Sequence, residues 1–246
     1  VDVNAIESQI KQLFGDISLP PNAPQRRYYP VADNERMITH VMRDAEQPIA
    51  LAHLYMKRDA KPTSARSDEH YRKEIYEKDL ICLMLNERLS KRQSEAKAPF
   101  TAASVKDGKF LIVQTKNAFS LSVSCKGDQV EEGLSAAVGL IEQARQKGFT
   151  TEELTRAKAI LRNKAERCDK QRGQLANHHY VKQCLDHYLY GEPILSAAEE
   201  LHLRRKFDAE LTLADVNATI KELVTDRNQV LLLYAPQKAD FRVPST

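Results

Sequence analysis

The seven histidines are the side chains most suited to holding a catalytic metal. They are His40, His53, His70, His178, His179, His187 and His202. One kind of hydrolytic zinc site uses two histidines one helical turn apart, with a glutamate beside them to activate the metal-bound water. None of the seven begins an HxxEH or HExxH string. The sequence therefore predicts no such metal site in this chain.

Two weaker metal-binding patterns lie on predicted helices. His70 and Glu74 are four residues apart, and His179 and His187 are two helical turns apart with Cys184 nearby. Structural and catalytic zinc sites take three or four protein ligands, so each pair would need further ligands from elsewhere in the fold. We expect surface or helix-packing side chains at both places, and a zinc titration would distinguish the alternatives.

Other catalytic motifs are missing from the sequence. It contains no GxSxG, P-loop or GxGxxG string, and no Ser-His-Asp or Cys-His arrangement can be argued from spacing. The four cysteines stand far apart, which predicts free thiols. Free thiols favour a reducing compartment, while a bacterial periplasm or cell envelope stays open, so the sequence leaves the localisation unknown.

Charge and hydropathy exclude two classes of partner. The 37 basic and 34 acidic residues are interspersed, and the net charge is +3. The densest basic stretches, 162–172 and 202–206, are predicted to be solvated helix faces, so we expect no nucleic-acid partner. No apolar run approaches the roughly 20 residues of a membrane span, so we also expect no span.

The first thirty residues have an organisation of their own. Apolar residues at helical spacing predict a short amphipathic helix within 1–18. Residues 19–30 hold four prolines, which predicts a linker. Because the chain begins inside the helical pattern, we expect it to be a piece of a longer protein, with 1–18 closing a preceding domain and 31–246 forming the next one.

The middle of the chain alternates between strand and helix patterns. Strands are predicted at 38–42 and 49–57, and a long helix at 68–92. A three-stranded meander follows at 100–105, 110–115 and 119–125, with a turn at Asp107 and Gly108. Phe119, Leu121 and Val123 alternate with serines in the last of these strands, which predicts one buried and one polar face.

Helices dominate the remainder. They are predicted at 130–147, 150–172, 175–190, 197–206 and 214–224, before a final strand at 230–234 that should lie centrally in the sheet. Strands, then helices, then one returning strand predict an α+β fold: a two-layer arrangement with an antiparallel sheet covered on one side by helices. Five tyrosines within the helical segments are expected in the core or at an interface: Tyr71, Tyr76, Tyr180, Tyr188 and Tyr190.

The most informative string is GFTTEELTRAK, residues 148–158. Thr150 and Glu153 form a predicted capping box, and Gly148 can end the preceding helix with a positive φ. The string closely resembles one in the second of the paired domains of pitrilysin and insulinase-like zinc metallopeptidases. Segments 2–17, 85–92, 211–223 and 228–236 also resemble that family, in the same order.

The resemblance implies a metal-free domain. In that family a zinc-bearing domain precedes a similarly folded metal-free one, and two such halves enclose a chamber in which extended peptides are cut. This chain would then be the non-catalytic chamber wall and peptide-contact surface of a zinc metalloendopeptidase. It would hold no cofactor itself, and zinc would belong to the parent protein. Its partners would be the adjacent zinc-bearing domain, the second half of the parent protein, and peptide substrates.

The resemblance also implies one site residue. Some members hold the substrate backbone with an arginine and a tyrosine seven positions later. Arg92 matches the arginine, but Pro99 stands at the tyrosine position and Phe100 follows without a hydroxyl. Arg92 is therefore a candidate substrate contact, with an ordinary helix-end arginine as the alternative.

A second function fits the same fold. The chain could belong to a scaffold subunit like the core proteins of respiratory complexes, whose parent protein has no peptidase activity. Only the enzyme needs an HxxEH string and a further glutamate in the sequence upstream of Val1, so that sequence discriminates between the two functions.

Overall fold

The computed structural model describes residues 2–18, 20–24, 27–125 and 129–237. Within these residues, one layer is a sheet of five strands: β1 (Ile38–Asp44), β2 (Ala50–Asp59), β3 (Ala102–Lys109), β4 (Lys116–Cys125) and β5 (Gln229–Pro236). The α-helices of the same residues are α1 (Val3–Phe14), α2 (Glu69–Gln93), α3 (Val130–Lys147), α4 (Thr151–Lys170), α5 (Asn177–Tyr190), α6 (Ala197–Glu210) and α7 (Leu213–Leu223). The expected two-layer α+β class is confirmed.

The order of strands is β1-β5-β2-β4-β3, so the last strand lies inside the sheet, as predicted. β5 inserts between β1 and β2. It runs antiparallel to β2 and parallel to β1. The sheet is therefore mixed, and the expectation of a wholly antiparallel sheet is corrected at this one pair. The strands β1 and β2 run in opposite directions, so a strand inserted between them must be parallel to one of the two, and for β5 that strand is β1.

The predicted meander is wrong in its middle strand. Asp107 and Gly108 belong to β3, where they pair with Phe119 and Ala118 of β4. Arg58 donates to the Asp107 carboxylate at 2.5 Å, which fixes that residue in the sheet. The reversal comes later, where Leu111 takes a φ of 53° and the Phe110 N–H bonds the Lys116 carbonyl oxygen at 3.0 Å.

The core lies between the sheet and the helices. β4 directs Phe119, Leu121 and Val123 towards the helices, and each is almost fully buried. Helix α2 supplies the largest opposing group, which is Leu80, Ile81, Met84, Leu85 and Leu89. Burying such side chains contributes roughly 1.5–3 kcal/mol each. This layer therefore holds the sheet and α2 together.

The junction between α3 and α4 is built as the sequence predicts. Thr150 and Glu153 form a reciprocal capping box at the start of α4. Arg88 of α2 donates to both carboxylate oxygens of Glu153, at 2.6 and 2.8 Å, and its guanidinium lies 4.9 Å from the centre of the Phe149 ring. Gly148 has the predicted positive φ, 74°, although its ψ of −167° differs from the left-handed helical value.

The segment that leads into β1 is fastened to the sheet by polar contacts. Lys116 donates to Asp33 and Asp59, each at 2.6 Å. The Asn34 N–H donates to the side chain of Asn228 at 2.7 Å. These bonds hold Asp33 and Asn34, which follow the predicted linker, against the starts of β4 and β5. Among the described helices, none has the length and apolar content to cross a bilayer.

Candidate functional site

Arg92 lies in the last turn of α2, at the edge of the fold. Its guanidinium pairs with Glu95, three residues further along the chain, and 41% of its side chain is exposed. Phe100 is buried in the core and offers no hydroxyl partner. The site therefore consists of an exposed cation at a helix end, which can contact a carboxylate or a backbone carbonyl of a bound chain.

The two weak metal patterns lie on helices, where His70 and His187 are exposed and Glu74 and His179 are half-buried. His70 Nε2 lies 3.1 Å from Glu74, whose carboxylate also binds the ammonium of Lys61. The Nδ1–H of His187 donates to the Glu192 carbonyl oxygen at 2.8 Å. His179 packs edge-on against the neighbouring Tyr180 ring. The Glu74 and His187 side chains are thus engaged by protein groups that would compete with a metal ion.

The described part of the chain contains no group of three or more His, Cys, Asp or Glu side chains placed to hold a metal ion. All four cysteines are free, as expected. Burial raises the pKa of the Cys82 thiol to about 12 and also raises the pKa of Cys125. These two thiols are therefore protonated at neutral pH and are poor nucleophiles.

The face of the sheet away from the helices carries a polar and aromatic cluster that the sequence did not reveal. Cross-strand pairing brings His53 of β2 opposite Ser122 of β4, with Nδ1 2.8 Å from the serine hydroxyl oxygen. The ring of Tyr234 on β5 meets His53 edge-on at 5.7 Å between centroids. We call His53, Ser122 and Tyr234 the sheet-face cluster.

The electrostatics of the sheet-face cluster keep the histidine neutral. Burial lowers the pKa of His53, and the positive charge of Lys106 lowers it further. A catalytic serine–histidine pair also needs an acid that orients the imidazole. No carboxylate is among the contacts that the described residues make with His53. Among the described residues, His53 and Ser122 are therefore a hydrogen-bonded pair without the acid of a Ser-His-Asp triad.

An apolar recess opens on the helix side of the sheet, between β1, β5 and α3. Its volume is about 450 Å³. Helix α3 packs on β2 and β4 and forms one wall of the recess. Its walls include Met37, Val41, Leu54, Leu134, Val138 and Leu231, and its rim includes Glu131, Glu142 and Asp226. Such a recess can accept apolar side chains of a neighbouring segment.

Sequence reasoning had a partial signal for these surfaces. The alternation in β4 placed Ser122 on a polar face. The contact of that serine with His53, 69 positions away in the sequence, depends on the register of the two strands. Nothing local in the sequence specifies this register. The recess likewise depends on where the helices come to rest.

Comparison with known proteins gives a family and a fold. The family model described as the peptidase M16 inactive domain matches residues 1–161, from α1 into α4 and so more than half of the chain. A search of curated protein sequences found no match.

Several solved structures share the fold. The first half of the periplasmic protease PqqL from Escherichia coli has a TM-score of 0.81 and 18% identity, over 96% of this chain and 49% of that one. An insulinase family protease from Yersinia pestis has a TM-score of 0.77 and 16% identity, over 100% of this chain and 51% of that one. A peptidase M16 inactive domain from Pseudomonas fluorescens has a TM-score of 0.62 and 17% identity, over 99% of this chain and 52% of that one. The chain thus spans about half the length of each.

Proposed function

Because the chain belongs to the peptidase M16 inactive-domain family, we propose that it is the non-catalytic domain of a zinc-dependent metalloendopeptidase of the pitrilysin and insulinase type. The membership confirms the resemblance drawn from residues 148–158. In the proposed arrangement, another domain of the parent protein holds the zinc ion. The present chain forms part of the chamber wall and a surface that peptides contact.

One observation carries the proposal: the matching family is itself described as an inactive domain of a peptidase family. Similarity to halves of proteases supports it, since the chain covers 49% of the PqqL half. The remainder of a protein of that kind has room for a second domain of similar size. The zinc ligands and the glutamate that activates water would come from that domain.

Helix α1 supports a preceding domain. Its residues are all exposed, among them Val3 at 74% and Leu13 at 72%. A helix with an apolar stripe in water gains stability when the stripe is covered. We propose that residues 1–18 close the preceding, zinc-bearing domain, that 19–30 link the two, and that 31–246 form the metal-free domain.

The peptide-contact role would fall on surfaces that the fold leaves open. Arg92 is our candidate for contact with the substrate backbone, because its guanidinium is exposed and carries several donors. The sheet-face cluster and the apolar recess are further surfaces that can face a neighbouring domain or the chamber. Each presents a small number of polar groups beside apolar ones.

A comparison of the full-length parent protein with the present chain tests the proposal. Both are incubated with a quenched fluorescent peptide, with and without a zinc chelator. We expect cleavage by the full-length protein, loss of cleavage on chelation, and no cleavage by the present chain. Chelator-sensitive cleavage by the present chain would refute the proposal. Absence of cleavage and of bound zinc in the full-length protein would instead favour the scaffold subunit.

A further inference from the structure

Helix α5 turns its apolar side to solvent. None of its fourteen residues is buried. Val181, Leu185 and Tyr188, which repeat at steps of four and three, are 55%, 52% and 83% exposed. Cys184 lies on the same side of the helix and is also exposed. We call these four residues the α5 stripe.

The opposite side of α5 faces the protein. His179, Gln183, Asp186 and Tyr190 line a cavity of about 490 Å³ that α2, α4 and α6 also border. The Gln183 amide donates to the Leu195 carbonyl oxygen at 2.9 Å. A surface helix normally places its apolar stripe inward and its polar residues in water. In α5 the apolar residues of the stripe are instead exposed.

The exposure of the stripe indicates that another surface covers it. Contiguous apolar groups in water are unfavourable, and on folded proteins they mark contact sites. The nearest charges on α5, Lys182 and Asp186, pair with each other, so they leave no net charge for a partner to neutralise. The stripe therefore suits an uncharged partner surface made of aliphatic and aromatic side chains.

We propose that the α5 stripe docks against an apolar surface elsewhere in the same parent polypeptide. The inference rests on the proposed function, because it requires a parent longer than this chain. At about 1.5 Å per residue, α5 is roughly 21 Å long. With a helix diameter of about 10 Å, the stripe covers on the order of 200 Å², well short of the roughly 800 Å² per partner that stable separate proteins bury. This argues against a second copy as the occupant.

Docking within one polypeptide needs far less area. Linked segments meet at an effective concentration in the millimolar range, so a weak contact stays formed. The chain covers 49% of the PqqL half and 25% of the whole PqqL chain. A parent of that kind contains ample polypeptide outside the present residues to supply the partner surface.

Cys184 is a natural reporter of this contact. The present chain and the full-length parent are treated with a maleimide under native conditions, and labelling is quantified by peptide mapping. If the undocked form is a minor state of about 10% or less, Cys184 reacts about tenfold or more slowly in the parent. Buried Cys125 should resist labelling in both polypeptides.

A substitution in the stripe provides the second measurement. Leu185→Lys should change the stability of the present chain by less than about 0.5 kcal/mol, because the side chain is already in water. In the parent it should lower the melting temperature and restore labelling of Cys184. Gln174→Lys, at an exposed position before α5, is the matched control and should have neither effect.

Four results would overturn the inference. The first is equal labelling of Cys184 in the two polypeptides, and the second is a parent whose melting temperature and Cys184 labelling are unchanged by Leu185→Lys. The third is unfolding of the present chain by that substitution. The fourth is protection of Cys184 in the present chain alone as its concentration rises. Reactive Cys184 in a parent that binds zinc and cuts peptides would refute the docking alone. Protected Cys184 in a parent that does neither would refute the proposed function alone.

Discussion

Replacement of Gly148 by alanine is the sharpest test of how the α3–α4 junction is built. The backbone there has φ 74° and ψ −167°, a region that essentially only glycine occupies. A Cβ atom at this position would lie 2.7 Å from atoms of the Asn217 side chain. Alanine must therefore strain the backbone and displace that amide.

The magnitude follows from two contributions. Backbone strain in such a region costs about 1–3 kcal/mol. The Asn217 Oδ1 accepts the Phe149 N–H at 2.7 Å, and losing that bond at a partly buried donor costs about 1–3 kcal/mol. Gly148→Ala should therefore lower the free energy of unfolding by about 2–6 kcal/mol.

Urea unfolding of the present chain, followed by circular dichroism, measures this change. Gly139→Ala is the matched control, because Gly139 lies inside α3 and an added methyl group would meet no neighbouring atom within 4 Å. That control should raise stability by about 0.5–1 kcal/mol. Asn217→Ala isolates the hydrogen-bond contribution. A loss below about 1 kcal/mol for Gly148→Ala would refute the account of the junction.

Three further predictions concern charged and titrating groups. Arg88 donates to Glu153 and holds the pKa of that carboxyl below its usual 4.5. This pair therefore stabilises the fold above pH 4.5, and its contribution is lost as the pH falls through the lowered pKa. The urea midpoint of Glu153→Gln should fall less on acidification than that of the wild type. Burial lowers the pKa of His53 below 6.5. Just below pH 6.5 the unfolded chain therefore binds more protons than the folded one, and the free energy of unfolding should fall on acidification. In urea titrations, His53→Gln should reduce this dependence of stability on pH. Arg92→Ala should raise the KM of the full-length protein for peptides and leave the melting temperature of the present chain nearly unchanged, because its pair with Glu95 is exposed; an unaltered KM would show that Arg92 is an ordinary helix-end residue.

Local signals predicted much of the fold. The bounds of α3, 130–147, agree with the sequence pattern, and Thr150 with Glu153 forms the predicted capping box. These features are local, because periodicity and caps act over a few residues. Placement of the last strand inside the sheet followed from its continuous apolar run, which is typical of a strand buried on both faces.

Features that depend on distant residues could not be predicted. Asp107 and Gly108 have turn composition, but the contact between Arg58 and Asp107 keeps them in β3. The parallel pairing of β1 with β5 joins strands from the two ends of the chain. The contact of His53 with Ser122 needs the strand register. In each case tertiary contacts outweigh local preference.

We propose that any catalytic metal of the parent protein lies outside this chain. Metal analysis by inductively coupled plasma mass spectrometry of both purified polypeptides, after dialysis against zinc, tests it most directly. We expect one zinc ion per full-length protein and none bound stoichiometrically by the present chain. A stoichiometric zinc ion retained by the present chain would contradict the claim.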